Sequence, residues 1–403
     1  MTVILPAALI LFLLATLFKI SFIYTVSYVL FGVYLLATLW SARVLHDVRF
    51  RRRCAPRALH GDDVEVVLEI ENRGWFPVPW MQIHERLPVA LSSPPFFRSL
   101  VSLGPRETRR FRYLLHCRQR GWYQIGPLTV SLGDVFGLSA RQGDVLPAEH
   151  LTVYPRILPI DELGFPSKSP FGQLRTPQIL YEDPARVIGV RDYQVGDSPR
   201  RINWKVSASS GRLQVRKLEP AMTLEAVILL NVDTSDYTRQ YAYAQTELAI
   251  EVAASLANHL VGLRQEVGLL TNGVDPIGEP VPGLVGYLPR KGRSQLTIIL
   301  DLLGRLVVVN QRPFCMAVRG EMKRLPWGAT LIIITSHESP ELLETVLPLR
   351  RAGYNVVVIY MDYPNPEVFE EAQHRAALLG LRAYRIWREG DVDIWQQHIR
   401  TVV

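Results

Sequence analysis

From Val3 to Trp40 the chain runs for 38 residues with one charged side chain, Lys19. A helix needs about 20 apolar residues to cross a bilayer core about 30 Å thick. Two spans fit, over 3–18 and 22–41, with Lys19 and Ser21 in a turn from which the ammonium snorkels to the far interface. A single tilted signal anchor, shortened by Pro6, is the other arrangement left open. A cleaved signal peptide is disfavoured, since no Lys or Arg precedes Pro6 and no small-residue cleavage site precedes a polar start.

Past Trp40 come Arg43, Arg49, Arg51, Arg52, Arg53 and Arg57, opposed by Asp47 alone. Such a run reads as a positive-inside signal. The expectation is a multi-pass protein of the cell (inner) membrane, its soluble remainder cytoplasmic and the lipid bilayer its first partner. The same arginines suit contact with anionic head groups. They also supply much of the net charge of +7, so nucleic acid is not expected as a partner. Three cysteines, Cys54, Cys117 and Cys315, form no close pair, which fits a reducing compartment.

The remaining length divides by period. Val64, Val66, Leu68 and Ile70 alternate with Glu65, Glu69 and Glu71, and Phe111, Tyr113, Leu115 and Cys117 repeat the pattern among arginines. Short strands separated by Gly and Pro turns predict a small antiparallel, immunoglobulin-like β-sandwich over 56–154. Six prolines between Pro155 and Pro184 mark a linker, and 155–220 is read as linker plus a distinctive segment.

Within 185–217 eight basic side chains stand against Asp192 and Asp197, interleaved with Tyr193 and Trp204. One reading is a surface for an anion or an acidic partner, because guanidinium forks bind phosphate and carboxylate and stack on aromatics. The other is structural: Gly196-Asp197 forms a turn, Trp204 anchors the segment in a core, and the arginines pair locally. Beyond 221 the period changes. Ala226–Asp233 is a continuous apolar strand and Tyr237–Gln265 a long helix, with further strands at 266–271, 329–335, 354–360 and 382–386 and helices at about 293–308, 313–324, 339–352 and 366–379. This pattern predicts a doubly wound α/β domain over 221–403, whose strand ends make Asp233, Thr234, Ser235, Thr335 and Ser336 the positions to inspect.

The run Arg191-x-Tyr193-x-x-Gly196-Asp197-x-x-Arg200-Arg201-Ile202-Asn203-Trp204-Lys205-x-Ser207-Ala208, followed by Gly211-x-Leu213-x-Val215-Arg216, resembles the signature of the bacterial domain-of-unknown-function 58 family. Arg120-Gly121-Trp122-Tyr123-x-x-Gly126-Pro127 is similar to a second stretch of that family. One departure is Ser209, where the family usually carries arginine. The resemblance implies a transmembrane helical hairpin over 1–42, a small β module and a von Willebrand factor A-like α/β domain, working with a MoxR-type AAA+ ATPase in protein assembly or maturation on an unknown client protein. It also implies an adhesion-type metal site, of which Asp233 and Ser235 fill two places while Tyr237 and Ser336 stand where a hydroxyl ligand and a second acid belong. A degenerate site is expected, and no cofactor, magnesium being the one candidate.

A non-catalytic interaction or adaptor protein is therefore the leading expectation. In it, Arg191, Tyr193, Asp197, Arg200, Arg201, Asn203, Trp204, Lys205 and Arg216 make the partner contact. The alternative is an anion-binding module for phosphate, nucleotide or lipid head groups using the same arginines. An enzyme using Asp197 or Asp233 needs a second convergent acid or histidine that the sequence does not offer, and no Walker A run, zinc motif or serine elbow is present.

Overall fold

The computed structural model describes residues 4–19, 21–133, 140–159, 182–194, 202–220, 225–278 and 283–387. The apolar N-terminal run folds as α1 (Ile4–Phe18) and α2 (Ser21–Asp47). Lys19 breaks the helix with a left-handed φ of 52°, and Phe12 packs on Tyr24 and Tyr28 with ring centroids 5.8 and 6.2 Å apart. The expected architecture of transmembrane hairpin, single sandwich and α/β domain is overturned first here. Among the described residues no helix is long and apolar enough to cross a membrane. The 15 residues of α1 span about 22 Å at 1.5 Å per residue, short of a bilayer core. In α2, Ser21, Tyr24, Thr25, Ser27 and Tyr28 dilute the apolar run, and the helix ends on Arg43, His46 and Asp47.

The described chain divides into two compact units. The first comprises 1–156 with 275–278 and 300–307. It contains β1 (Val48–Arg53), β2 (Arg57–Ala58), β3 (Asp63–Asn72), β4 (Val78–Arg86), β5 (Phe96–Leu103), β6 (Thr108–His116), β7 (Gly121–Ile125), β8 (Leu128–Gly133), β9 (Ala140–Leu146) and β10 (Glu149–Val153). The one two-sheet sandwich expected is replaced by three sheets, ordered β1-β3-β6, β2-β10-β7 and β5-β4-β8-β9. The alternation in β3 buries Val64, Val66, Leu68 and Ile70 completely or nearly so. Leu68 and Ile70 pack against Met81, Ile83, Val130 and Leu132, whereas Val64 and Val66 face Ile125, Leu151 and Val153. One strand therefore serves two cores. Inside this unit Arg57 forms a paired contact with Asp301 at 2.7 Å, the Tyr154 hydroxyl donates to Asp301 at 2.7 Å, and Arg120 donates to the carbonyls of Leu303 and Leu306. Arg305 pairs with Asp275 at 2.8 Å, joining the two short segments.

The arginine run is a strand. Register and period two turn Val48, Phe50 and Arg52 inward and Arg49, Arg51 and Arg53 outward. Arg52 is fully buried, its Nε donating to Glu85 Oε1 at 2.6 Å and its Nη1 to the Pro147 carbonyl at 3.1 Å. The Tyr113 hydroxyl donates to Glu85 Oε2 at 2.6 Å, and burial together with the glutamate charge pushes that phenol well above its ordinary pKa. Removing one partner of a buried pair leaves an uncompensated charge. Glu85→Ala is expected to lower unfolding stability by about 3–5 kcal/mol, and Tyr113→Phe by about 1.5–3 kcal/mol, both read from urea melts of the full chain.

The second unit comprises 157–274, 279–299 and 308–403. A two-stranded ribbon of β11 (Glu182–Asp192) and β12 (Gln214–Pro220), with α3 (Trp204–Ser210) between them, precedes a six-stranded sheet. The sheet elements are β13 (Glu225–Leu230), α4 (Ala242–Gly262), β14 (Glu266–Thr271), β15 (Val285–Arg290), α5 (Arg293–Arg305), α6 (Phe314–Glu321), β16 (Thr330–Thr335), α7 (Pro340–Arg351), β17 (Asn355–Tyr360), α8 (Pro366–Leu378) and β18 (Arg382–Arg385). Their order is β15-β14-β13-β16-β17-β18, all parallel except β15. Parallel strands covered on both faces need continuous apolar sequence, and EAVILL, TLIIIT and NVVVIY supply it. Val227, Leu229, Leu331, Ile333, Val356 and Val358 pack with Phe314, Val346, Leu349 and Phe369 on one face, and α4 covers β13 and β14. The antiparallel strand β15 approaches β14 so closely that a Cβ on Gly286, at φ 150°, would lie 1.9 Å from the Leu269 carbonyl oxygen.

Candidate functional site

Strands are added in one direction from β13 to β15 and in the other from β16 to β18, so the order switches between the parallel neighbours β13 and β16, where ligands of such sheets gather at the carboxyl ends of the strands. Asn231, immediately after β13, sits in that crevice. Its amide donates to Thr335 Oγ1 at 3.1 Å and to Asp236 Oδ2 at 2.8 Å, and its Oδ1 accepts from Asn272 and from the Asp233 backbone. Asn272, after β14, accepts from Val232 N at 2.9 Å and donates to the Arg312 carbonyl at 2.9 Å. Arg312 returns two contacts, from Nη1 to the carbonyls of Asn272 and Gly273.

Asp233 lies at the centre, 1% exposed. Its Oδ1 accepts from Ser235 N at 3.0 Å, Ser235 Oγ at 2.6 Å and Gln311 N at 3.0 Å, and its Oδ2 accepts from Arg312 N. The chain's own 309–312 segment thus occupies the position over the strand end, fastened further by Thr234 N to the Val309 carbonyl at 2.9 Å. Tyr237 points its hydroxyl at the Asn231 carbonyl, 2.8 Å away. These residues do not fit a magnesium ion, which prefers octahedral oxygen ligands with carboxylate help, because both carboxylate oxygens of Asp233 are engaged by protein donors. Among the described residues no group of three or more His, Cys, Asp or Glu has a metal-binding arrangement.

Asp236 accepts from Asn231, and the helix expected from Tyr237 begins five residues later, as α4 at Ala242. Asp233 is the cap of the short turn Thr234–Asp236. Asp362, two residues past β17, accepts from Thr238 N at 2.7 Å through Oδ2, while its buried Oδ1 has no hydrogen-bond partner among the described residues. Asn231, Asn272 and Arg312 went unnoticed in the sequence. A signal for the two asparagines existed: each stands directly after a continuous apolar strand.

In the second region, the β11–β12 register sets Arg191 beside Val215 and Val190 beside Arg216. Arg191 and Arg216 consequently lie on opposite faces of the ribbon rather than converging. Asn203 caps α3, accepting from Val206 N at 3.4 Å, and Ser207, buried, accepts from Gln214 N at 2.8 Å through Oγ. Gly211 ends the helix at φ 67°, a left-handed conformation suited to glycine. Tyr193 N donates to the Leu213 carbonyl at 2.9 Å, and Gln214 Nε2 donates to Asp192 Oδ1. Trp204 is 66% exposed, so it does not anchor the segment in a core, and Lys205 beside it is exposed too. Asp197, Arg200 and Arg201 lie outside the described residues.

Residues 189–303 match the family model described as protein of unknown function DUF58. The match begins at the end of β11 and runs through α3, β13 and α4 into α5. Over 228 residues the chain is 25% identical to the uncharacterised protein YeaD of Bacillus subtilis, an alignment covering 52% of this chain and 55% of that protein. The chain thus spans about half the length of this curated relative. Among solved structures, the CARDB domain of a Pyrococcus furiosus protein is matched at TM-score 0.21 and 15% identity, covering 27% of this chain and 92% of that one. Proximal thread matrix protein 1 from the mussel byssus is matched at TM-score 0.30 and 10% identity, covering 44% and 47%. Neither likeness is close enough to inform fold or function.

Two outcomes follow from the geometry. Asp233→Asn replaces one carboxylate oxygen by an amide donor, which in its better orientation faces the Arg312 N–H, and is expected to cost about 2–3 kcal/mol in urea melts. Burial holds the Asp236 carboxyl above the ordinary aspartate range, outweighing the Asn231 hydrogen bond, with the Asp233 charge adding to the rise. The folded state then binds this proton more tightly than the unfolded state, so stability falls as pH rises from the ordinary aspartate range through the raised folded value. Stability measured against pH is expected to show a shallower fall across that window in Asp236→Asn, which keeps an acceptor for Asn231.

Proposed function

We propose that this chain is a non-catalytic interaction protein whose α3 segment contacts a MoxR-type AAA+ ATPase acting on a client protein. The observation that carries the reading is Trp204, an exposed aromatic with Lys205 beside it, on a helix start fixed by Asn203, Ser207 and Gly211. An aromatic held rigid at the surface gives contact area at little entropic cost, as interface anchors do. The self-occupied strand end at Asp233 supports a role without chemistry at that place. The identity of the ATPase rests on the resemblance of the Arg191–Arg216 segment. A bilayer is the second partner in this reading: Leu9, Leu13, Leu17, Phe18 and Phe22 are exposed apolar side chains that suit lying against lipid rather than crossing it.

Pull-down of the full detergent-solubilised chain from its host, with mass-spectrometric identification, tests the reading. The unaltered protein is expected to recover an AAA+ ATPase and Trp204→Ala/Lys205→Glu to lose most of it, while both melt alike. Equal recovery by both, or no ATPase with either, overturns the contact.

A further inference from the structure

On the solvent face of the first sheet, β1 contributes Arg49, Arg51 and Arg53, β6 contributes Arg110 and Arg112, and the β3 stripe between them contributes Glu65, Glu69 and Glu71. The registers place Arg49 opposite Glu71, Arg51 opposite Glu69, and Glu69 opposite Arg110. Opposite charges facing across strands ordinarily neutralise one another. Here the carboxylates are already committed. Glu69 pairs with Arg110 at 3.0 Å and more distantly with Arg53 at 3.9 Å, and Glu71 pairs with Arg73 at 3.0 Å. Among the described residues no hydrogen bond or ion pair engages the guanidinium of Arg49 or Arg51. Both are exposed on the edge strand, two residues and so about 6.6 Å apart.

A cavity of about 350 Å³ opens beside them, lined by Arg49, Arg51, Arg73 and Arg110 with Glu69 and Glu71, among others. Its size is that of a small-ligand site. Two forks without a hydrogen-bonded or ion-paired carboxylate among the described residues call for a ligand carrying more than one negative charge and several acceptor oxygens; a single carboxylate pairs with only one of them. We propose that this cavity binds a phosphate-bearing anion, with Arg49 and Arg51 as its principal donors. The glutamate stripe holds Arg73 and Arg110 at the wall and repels anions bound deeper, which confines the phosphate to the β1 side. The proposal does not depend on the ATPase contact.

The shared chemistry is a phosphate group, free or on a lipid, and two arms separate the sources. The full chain is titrated calorimetrically with inorganic pyrophosphate at low salt, and sedimented with phosphatidylcholine vesicles with and without phosphatidylglycerol. Pyrophosphate binding supports the free anion, and sedimentation that phosphatidylglycerol raises above the level with phosphatidylcholine alone supports the head group. In the arm that binds, Arg49→Gln/Arg51→Gln is expected to weaken affinity about tenfold or more, and rising salt to weaken the unaltered protein. Arg112→Gln, on the same face but outside the cavity lining, is expected to bind as the unaltered chain does. Both altered residues are exposed, so urea melts of the variants should coincide with the parent. Absence of binding in both arms overturns the site. So does undiminished binding by the double variant, or an equal loss in Arg112→Gln.

Discussion

A carboxylate taken out of water must be surrounded by donors, and the α/β unit is arranged around that requirement at Asp233. Ser235 is brought back over the strand end to give a hydroxyl and an amide, and the 309–312 segment is laid across it to give two more amides. Asn231 and Asn272 then tie the ends of β13, β14 and β16 to the same loop. The result is a sheet whose reversal point is closed by hydrogen bonds to itself. A network of this kind is stiff, because each group left without its partner would carry a desolvation cost.

How much of this was legible depends on burial. β14 and β17 were readable nearly to the residue, since a strand covered on both faces must be apolar throughout and ends where polarity resumes. β15 was not, because VGYLPR is an exposed edge with a glycine placed for backbone approach and a proline near its end. The Asp-Thr-Ser turn was visible, but Gln311 and Arg312, which complete its shell, are nearly 80 residues away and contribute backbone amides that no residue type reports. The distinctive Arg191–Arg216 segment was visible as composition, yet composition could not tell that Trp204 is exposed or that Arg191 and Arg216 face apart.

The N-terminal region misled for a different reason. Uncharged length followed by arginines resembles spans followed by a positive flank, and the eye stops at the charge count. The order Val-Arg-Phe-Arg-Arg-Arg from Val48 holds an alternation whose third inward member is an arginine. Glu85, supported by Tyr113, and the Pro147 carbonyl, all more than 30 residues further on, make that inward position tenable. Two of its outward members, Arg49 and Arg51, have the opposite fate, since the carboxylates across from them are engaged by other arginines. One strand therefore uses the same residue type as an internal fastening on one side and as unspent charge on the other.

The first unit draws on residues beyond 156: Asp301 receives Arg57 and Tyr154, and the Leu303 and Leu306 carbonyls receive Arg120. A ribosome delivers these pieces late. All ten strands of the unit have left the exit tunnel well before the carbonyls that Arg120 needs have been made, and domains ordinarily fold as they emerge. During that interval a nearly complete β structure must wait with its arginines solvated, and it finishes only after β13, β14 and β15 of the α/β sheet have been synthesised. Vectorial synthesis thus imposes an order on this chain: the unit that begins first is not the unit that can be finished alone.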